Sequence, residues 1–334
     1  MLIKTTVVGS YPVPGWLKLH PSPEAVQDAV RVILQIQHAA GIDVASDGEL
    51  SRWNAREHRP SGMVERFTSQ MHGIVPEATA AQRIEYEARD DTKYRGRPPG
   101  VVVGEVAAGA LDLELEYQLS ARLTPLPLKF TITSPYMMAK LLHDAHYRDF
   151  PKLLFALADV LAEQVARLGA AVVQVDEPNL PGSPHDASLA AQAINRVFAP
   201  AQGQTAVHLC FGNFGGQQVQ QGDYRRLVAF FNELQCDHLV LETTRRAAAE
   251  VELLREIKST MQLGVGVVDV KDLQVEQPSL IASRIEALAK LVGPERISYV
   301  HPDCGLSHLP RDVADRKLAA LTAGRDLYLG ATPR

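Results

Sequence analysis

Cysteine is scarce in this chain, with three residues, Cys210, Cys236 and Cys304, among 334. Odd in number and far apart, they do not make a disulfide framework, so each is either a packed thiol or a metal ligand. Long apolar runs are missing as well. No stretch approaches the roughly 20 residues that cross a bilayer. The opening MLIKTTVVGSYP has no secretory core or cleavage site, which leads us to expect a cytoplasmic protein with no membrane partner. Positive charge is not in excess either. With 34 Lys and Arg against 39 Asp and Glu, the net charge is -5, and nucleic acid is not an expected partner. No internal repeat, coiled coil or low-complexity tract interrupts an ordinary globular composition of 46% hydrophobic and 22% charged residues. That balance points to an enzyme acting on a small molecule.

What is present is an alternation of apolar strands with helical stretches. Ser22 as cap, Pro23 at the first helical position and Gly41 beyond the end delimit a helix whose Val26, Val30, Ile33 and Leu34 share one face. Strands at 2–8 and 42–46 flank it. Further strands are predicted at 127–133, 171–176, 205–210, 238–242, 263–268 and 297–301. Helices at 185–198, 222–234, 247–258, 276–291 and 310–328 separate the later ones. Eight strands predict an α/β fold, a (β/α)₈ TIM barrel occupying 1–334 as one domain, with a doubly wound open sheet as the competing architecture. Residues 51–124 break the rhythm and read as an elaboration of the loop after strand two. Within it GVVVGEV (100–106) and LDLELEY (111–117) suggest a hairpin near the barrel mouth, and the charged, proline-rich 87–99 a mobile connection.

His208 and Cys210 stand two apart at the end of a strand, which places both side chains on one side. Glu242 ends the next strand and Cys304 lies just past another. In a barrel all four reach the cavity at the carboxyl ends of the strands. Imidazole, thiolate and carboxylate together suit Zn²⁺, and a set with only one close pair resembles a reactive site more than a structural one. Against this stands the ordinary use of buried His and Cys as packing, which a lone HxC does not exclude. Cys236 has no partner at ligand spacing and reads as packing. His301 and His308 flank Cys304, either as partners to the ligands or in core and surface roles.

At these residues the sequence resembles the catalytic C-terminal domain of the cobalamin-independent methionine synthase family, a zinc-containing (β/α)₈ barrel. VGSYP (8–12), SDGE (46–49), QVDEP (174–178), HLC (208–210), LE (241–242) and HPDCGL (301–306) follow the family's order. The resemblance implies zinc on His208, Cys210, Glu242 and Cys304, with homocysteine held by Ser10, Glu49 and Asp176. Two carboxylates suit an α-ammonium, while Ser10 and backbone amides suit an α-carboxylate. The implied activity is zinc-dependent methyl transfer to the homocysteine thiol, giving methionine.

Three departures loosen the match. There is no room for the family's second, N-terminal barrel. Lys271, in VVDVKDLQ (267–274), stands where the family has a histidine proposed as proton shuttle, and so becomes a catalytic candidate beside Glu242. FTITSPYMM (130–138) lacks the tryptophan that stacks on the pterin. The methyl donor is therefore left open between methyltetrahydrofolate and a methylated corrinoid such as methylcobalamin, free or on a partner corrinoid protein. Tyr136, Trp53 and Tyr117 are alternative aromatic surfaces, though each is more simply packing. A homo-oligomer also stays open. Competing readings are alkyl transfer to another thiol, as in coenzyme M or epoxide chemistry, a metal-free decarboxylase of a related barrel, and a zinc-stabilised binding protein.

Overall fold

Strand segments rich in Val, Ile and Leu belong in a parallel sheet covered on both faces. The computed structural model, which describes residues 3–54, 59–60, 62–89, 92, 95–212 and 222–331, has such a sheet at its centre. Seven strands lie in the order Lys4–Thr5, Ile297–Pro302, Gln262–Val268, His238–Leu241, Gln204–Leu209, Val172–Glu177 and Lys129–Thr133. Every adjacent pair is parallel. The fold is α/β, a curled parallel sheet of the TIM-barrel type. Among the described residues no helix is long and apolar enough to cross a membrane.

The segment expected as a strand at 42–46 pairs only through single parallel bridges, Thr6 with Val44 and Ala45 with Leu128. These bridges connect the two outer strands of the sheet. A side chain takes over part of the pairing there: Asp43 Oδ2 accepts from the Thr5 backbone N–H at 2.7 Å and from the Thr5 hydroxyl at 3.0 Å. Arg325, on the last helix, donates to the same oxygen at 2.6 Å. Thr205 and Asp237 repeat the device, with the Thr205 N–H and hydroxyl donating to Asp237 Oδ2 at 2.7 and 2.9 Å. Both clamps lie at the amino end of the sheet, opposite the candidate ligands.

The helix at Pro23–Ala39 forms as its punctuation requires, with Ser22 Oγ accepting from the Ala25 N–H at 3.0 Å and Gly41 at φ +76°. Helices at Ala187–Phe198, Pro278–Val292 and Arg311–Tyr328 match expectation. Those expected at 222–234 and 247–258 are each broken, into Tyr224–Arg226 with Val228–Glu233 and Ala248–Val251 with Glu252–Glu256. The sequence reading missed Phe150–Val165, although Asp149 caps it on the Lys152 N–H at 3.1 Å and Pro151 follows.

Residues 111–117 correct the hairpin. The run Val101–Ala107 is a strand, but its partners are His72–Val75, antiparallel, and His143–Asp144, parallel. Its supposed mate is the helix Leu113–Ala121. The Leu/Glu alternation imitates a half-exposed strand, yet these are good helix formers, and Asp112 supplies the cap by accepting from the Leu115 N–H at 3.1 Å. In the 87–99 connection, residues 90, 91, 93 and 94 lie outside the described residues. Thr92 is 1% exposed, so at that point the segment is packed rather than merely a tether.

Candidate functional site

Parallel strands bring their carboxyl ends to one side of the sheet, and the chemistry-bearing residues gather there. His208 is the penultimate residue of Gln204–Leu209, Cys210 follows that strand, and Cys304 lies two residues past Ile297–Pro302. One ligand atom from each of the three lies within 4.8 Å of the others. His208 Nδ1 donates to the Val240 carbonyl at 2.9 Å, which directs Nε2 to the centre of the cluster, 3.7 Å from Cys304 Sγ. An imidazole with one nitrogen fixed by a carbonyl and two converging sulfurs is a donor set that can hold a zinc ion.

Electrostatics of the cluster agree with that geometry. The hydrogen bond from Cys210, opposed by burial and reinforced by His208, holds Cys304 well below the ordinary thiol range. The same bond to Cys304, together with burial, pushes Cys210 well up. Burial acts against a charge on His208, but Cys304 and Asp176 outweigh it and raise its pKa to about 9. One thiolate is thus stabilised between a thiol and an imidazolium, and a divalent cation would displace their protons.

Glu242, expected as a fourth ligand, is not in this group. It follows Leu241, which pairs with Leu209, so it lies beside Cys210 at the strand ends. Its carboxylate is turned to two cations: Arg246 Nη2 lies 2.5 Å from Oε1 and Lys271 Nζ 3.4 Å from Oε2. Arg246 in turn stacks 3.8 Å over the Phe211 ring and lies 3.4 Å from Glu250. Tyr224 Oη donates to the Glu242 carbonyl at 2.9 Å.

Ser10, Glu49 and Asp176 surround the same end. Ser10 Oγ lies 3.2 Å from Ser307 Oγ, and its carbonyl accepts from Leu306 N–H at 2.8 Å, which ties the first loop to the loop bearing Cys304. A side chain at Gly305 would collide with Ser10 Oγ, so a glycine there permits the approach. Glu49, at φ +58°, accepts from the Thr131 hydroxyl at 2.8 Å and pairs with Arg52 at 3.1 Å. Asp176 is in register with His208 on the adjoining strand and accepts from Gln174 Nε2 at 2.7 Å. Burial pushes the Asp176 pKa up to about 7, helped by the charge of Glu49 and opposed by His208.

Several contributors went unseen in the sequence. Asp303 accepts from the Thr243 and Thr244 N–H groups at 3.0 and 3.3 Å and from the Thr244 hydroxyl, fastening the loop after Glu242 to the residue before Cys304. Arg246 is four residues beyond Glu242 and Arg52 three beyond Glu49. Acid and base at those spacings were the available signal. His301 is buried, its Nδ1 donates to the Pro302 carbonyl at 2.7 Å, and burial drops its pKa to about 3, so it is a neutral core residue. His308 is exposed. Cys236 packs its sulfur 3.6 Å from Met261 Sδ, away from the cluster. Tyr136 and Trp53 are buried, the Tyr136 hydroxyl donating to Asp186 at 2.7 Å, and Tyr117 donates to the Gly169 carbonyl at 2.9 Å.

Residues 3–324 match the family model described as "Cobalamin-independent synthase, Catalytic domain". The methionine synthase of Saccharolobus solfataricus is 31% identical over 338 residues, covering 97% of this chain and 94% of that protein. That of Thermococcus kodakarensis is 29% identical over 98% of this chain and 93% of its own length. Among solved structures, a B12-independent methionine synthase from Shewanella sp. W3-18-1, in complex with selenomethionine, superposes with a TM-score of 0.81 at 23% identity. It covers 99% of this chain and 98% of that one, and so shares the fold. With a family match over nearly its whole length and a relative above 30% identity, the chain belongs to the cobalamin-independent synthase catalytic-domain family.

Proposed function

We infer that the chain is a zinc-dependent methyltransferase that carries a methyl group to the thiol of homocysteine and forms methionine. The observation that carries this reading is the convergence of His208, Cys210 and Cys304 at the end of the sheet that also bears Ser10, Glu49 and Asp176. The family membership and the methionine synthase relatives support it. In this reading the chain acts as one unit over 1–334. Segment 42–46 closes an eight-stranded barrel, and 51–124 elaborates the loop after it.

Zinc, when bound, supplies Lewis acidity that makes a thiol available as its thiolate near neutral pH. His208, Cys210 and Cys304 would hold it, and the two cysteine thiolates would offset part of its charge. Glu49 and Asp176 take the α-ammonium of homocysteine, while Ser10 and the adjoining backbone take its carboxylate. The sulfur gives an electron pair to the methyl carbon as the bond from that carbon to the donor breaks, and the departing pair stays with the donor. The proton given up by the thiol goes to solvent, and the donor nitrogen left with the pair takes one up from solvent. Lys271, expected as a catalytic group, remains in the reading as the cation beside Glu242.

Methyltetrahydrofolate is the donor we propose. The departures at Lys271 and in 130–138 favour a methylated corrinoid on a partner protein, but a family described as cobalamin-independent gives that idea no support. The reaction belongs in the cytoplasm, where three thiols stay reduced. Purified protein should contain stoichiometric zinc and form methionine from homocysteine with methyltetrahydrofolate, with methylcobalamin assayed in parallel. Methionine formation by metal-free protein overturns the zinc reading; turnover with methylcobalamin alone overturns the donor.

A further inference from the structure

Glu49, read above as a partner of the homocysteine ammonium, takes a left-handed backbone conformation at φ +58°. A non-glycine residue held there needs surrounding contacts to offset the strain. Those contacts converge on one oxygen. Arg52 Nη1 lies 3.1 Å from Glu49 Oε1, and the Thr131 hydroxyl donates to the same atom at 2.8 Å. Arg52 Nη2 reaches Thr131 as well, donating to its carbonyl and to its Oγ, both at 2.7 Å. Because that hydroxyl accepts from the guanidinium, its own hydrogen is left for Glu49, and the three groups close a ring.

The ring is built into the core. Thr131 belongs to the buried strand Lys129–Thr133, and the guanidinium of Arg52, itself buried, lies 5.4 Å from the centre of the Phe67 ring. Gly9 closes the remaining side. A side chain there would collide with Glu49 Oε1 and come within 3.3 Å of Thr131 Cγ2, so the first loop passes the carboxylate only as glycine. Among the described residues, the polar contacts of the Glu49 carboxylate all fall on Oε1. Oε2 is left for a donor from outside the chain.

We propose that Arg52, through Thr131 and against Gly9, fixes the position of Glu49 and so gives the site its preference for thiols that carry an amino group. The proposal rests on the reading of Glu49 as the ammonium's partner and names what holds it in place. Arg52 is a positioning residue, with both terminal nitrogens turned to Thr131 and Glu49. Charge alone predicts the opposite sign. A guanidinium weakens the pull of Glu49 on a cation, so an arginine that only neutralised the carboxylate would, on removal, tighten amine binding. An arginine that orients it would, on removal, cost a charge-assisted hydrogen bond, about tenfold in affinity.

Calorimetric titration of zinc-loaded protein with three thiols separates these roles: homocysteine, 3-mercaptopropylamine, which lacks the carboxylate, and 4-mercaptobutyrate, which lacks the amine. Arg52→Met should raise the Kd of homocysteine and of 3-mercaptopropylamine together, by about tenfold, and leave 4-mercaptobutyrate unchanged. Thr131→Val, close in volume, should shift the same two ligands by roughly threefold, and it carries the test if Arg52→Met does not fold. Equal weakening of all three thiols, a loss shared by homocysteine and 4-mercaptobutyrate alone, tighter amine binding, or no shift at all each overturns the proposal. Glu49→Gln keeps the two readings apart. If it weakens 3-mercaptopropylamine while Arg52→Met and Thr131→Val do not, only the positioning role falls; if it leaves 3-mercaptopropylamine unchanged, the reading of Glu49 falls with it.

Discussion

Cys304 and Cys236 carry the same thiol in opposite surroundings. Cys304 faces His208 and Cys210, whereas Cys236 faces a methionine sulfur and a backbone carbonyl. Cys304→Ser should lower zinc affinity by ~100-fold or more and abolish methyl transfer, since a first ligand matters more than its supporting partners. Cys236→Ser should leave both intact and cost only packing, as metal analysis and unfolding midpoints would show. Equal effects would mean the wrong cysteines have been chosen. Proton competition gives a second expectation. The pKa of His208 lies near 9 and that of Cys210 is raised, so zinc must displace protons from both. Zinc affinity should therefore climb as pH rises from 6 toward 9, and titration against a buffered chelator would show a flat profile if the set were already deprotonated. At this scale the convergence of His208, Cys210 and Cys304 at one end of the sheet was legible from strand period and from the position of Cys304 just past a strand, and Ser10, Glu49 and Asp176 were singled out by motif order. The Glu242 pairing with Lys271 was not, because Lys271 comes from a separate loop 29 residues on, whereas the i,i+4 spacing to Arg246 was there to be read.

Among the elements, the segment 42–46 depends on Asp43 as much as on its own pairing. Asp43 ties Thr5 to Arg325 across the chain's two ends. Burial would raise the Asp43 pKa, but the Thr5 N–H and the Arg325 guanidinium outweigh it and the net shift is downward. A depressed carboxylate pKa adds stability above its unfolded value near 4, and this is lost as pH falls through the lower folded value. Asp43→Asn should cost about 2 kcal/mol at neutral pH, within the range for hydrogen bonds to charged groups, with the difference shrinking in acid. Urea unfolding at pH 7 and pH 3 checks both parts. The helix Leu113–Ala121 shows why period alone misled: alternating Leu and Glu fit a strand, while a capping aspartate and intrinsic propensity chose the helix. Most strand segments and the helices at 185–198, 276–291 and 310–328 were readable, the strands because buried parallel strands form short apolar runs. The pairing of Val101–Ala107 with His72–Val75 and His143–Asp144 was not, since its partners lie far apart in the sequence.

For the molecule as a whole, chain order and sheet order cooperate. Loops that follow strands distant in sequence meet at one end, so Ser10 near the start touches the loop of Cys304 near the finish. The opposite end carries the Thr–Asp clamps and no member of the candidate site. That division separates stability from chemistry, and it is the pattern expected of a barrel enzyme. The central claim is that a zinc ion on His208, Cys210 and Cys304 receives the sulfur of homocysteine. X-ray absorption at the zinc edge, recorded with and without homocysteine, addresses it directly. The expected result is one additional sulfur ligand in the presence of homocysteine, in wild-type protein but not in Cys304→Ser; a zinc shell that homocysteine leaves unchanged would contradict the account.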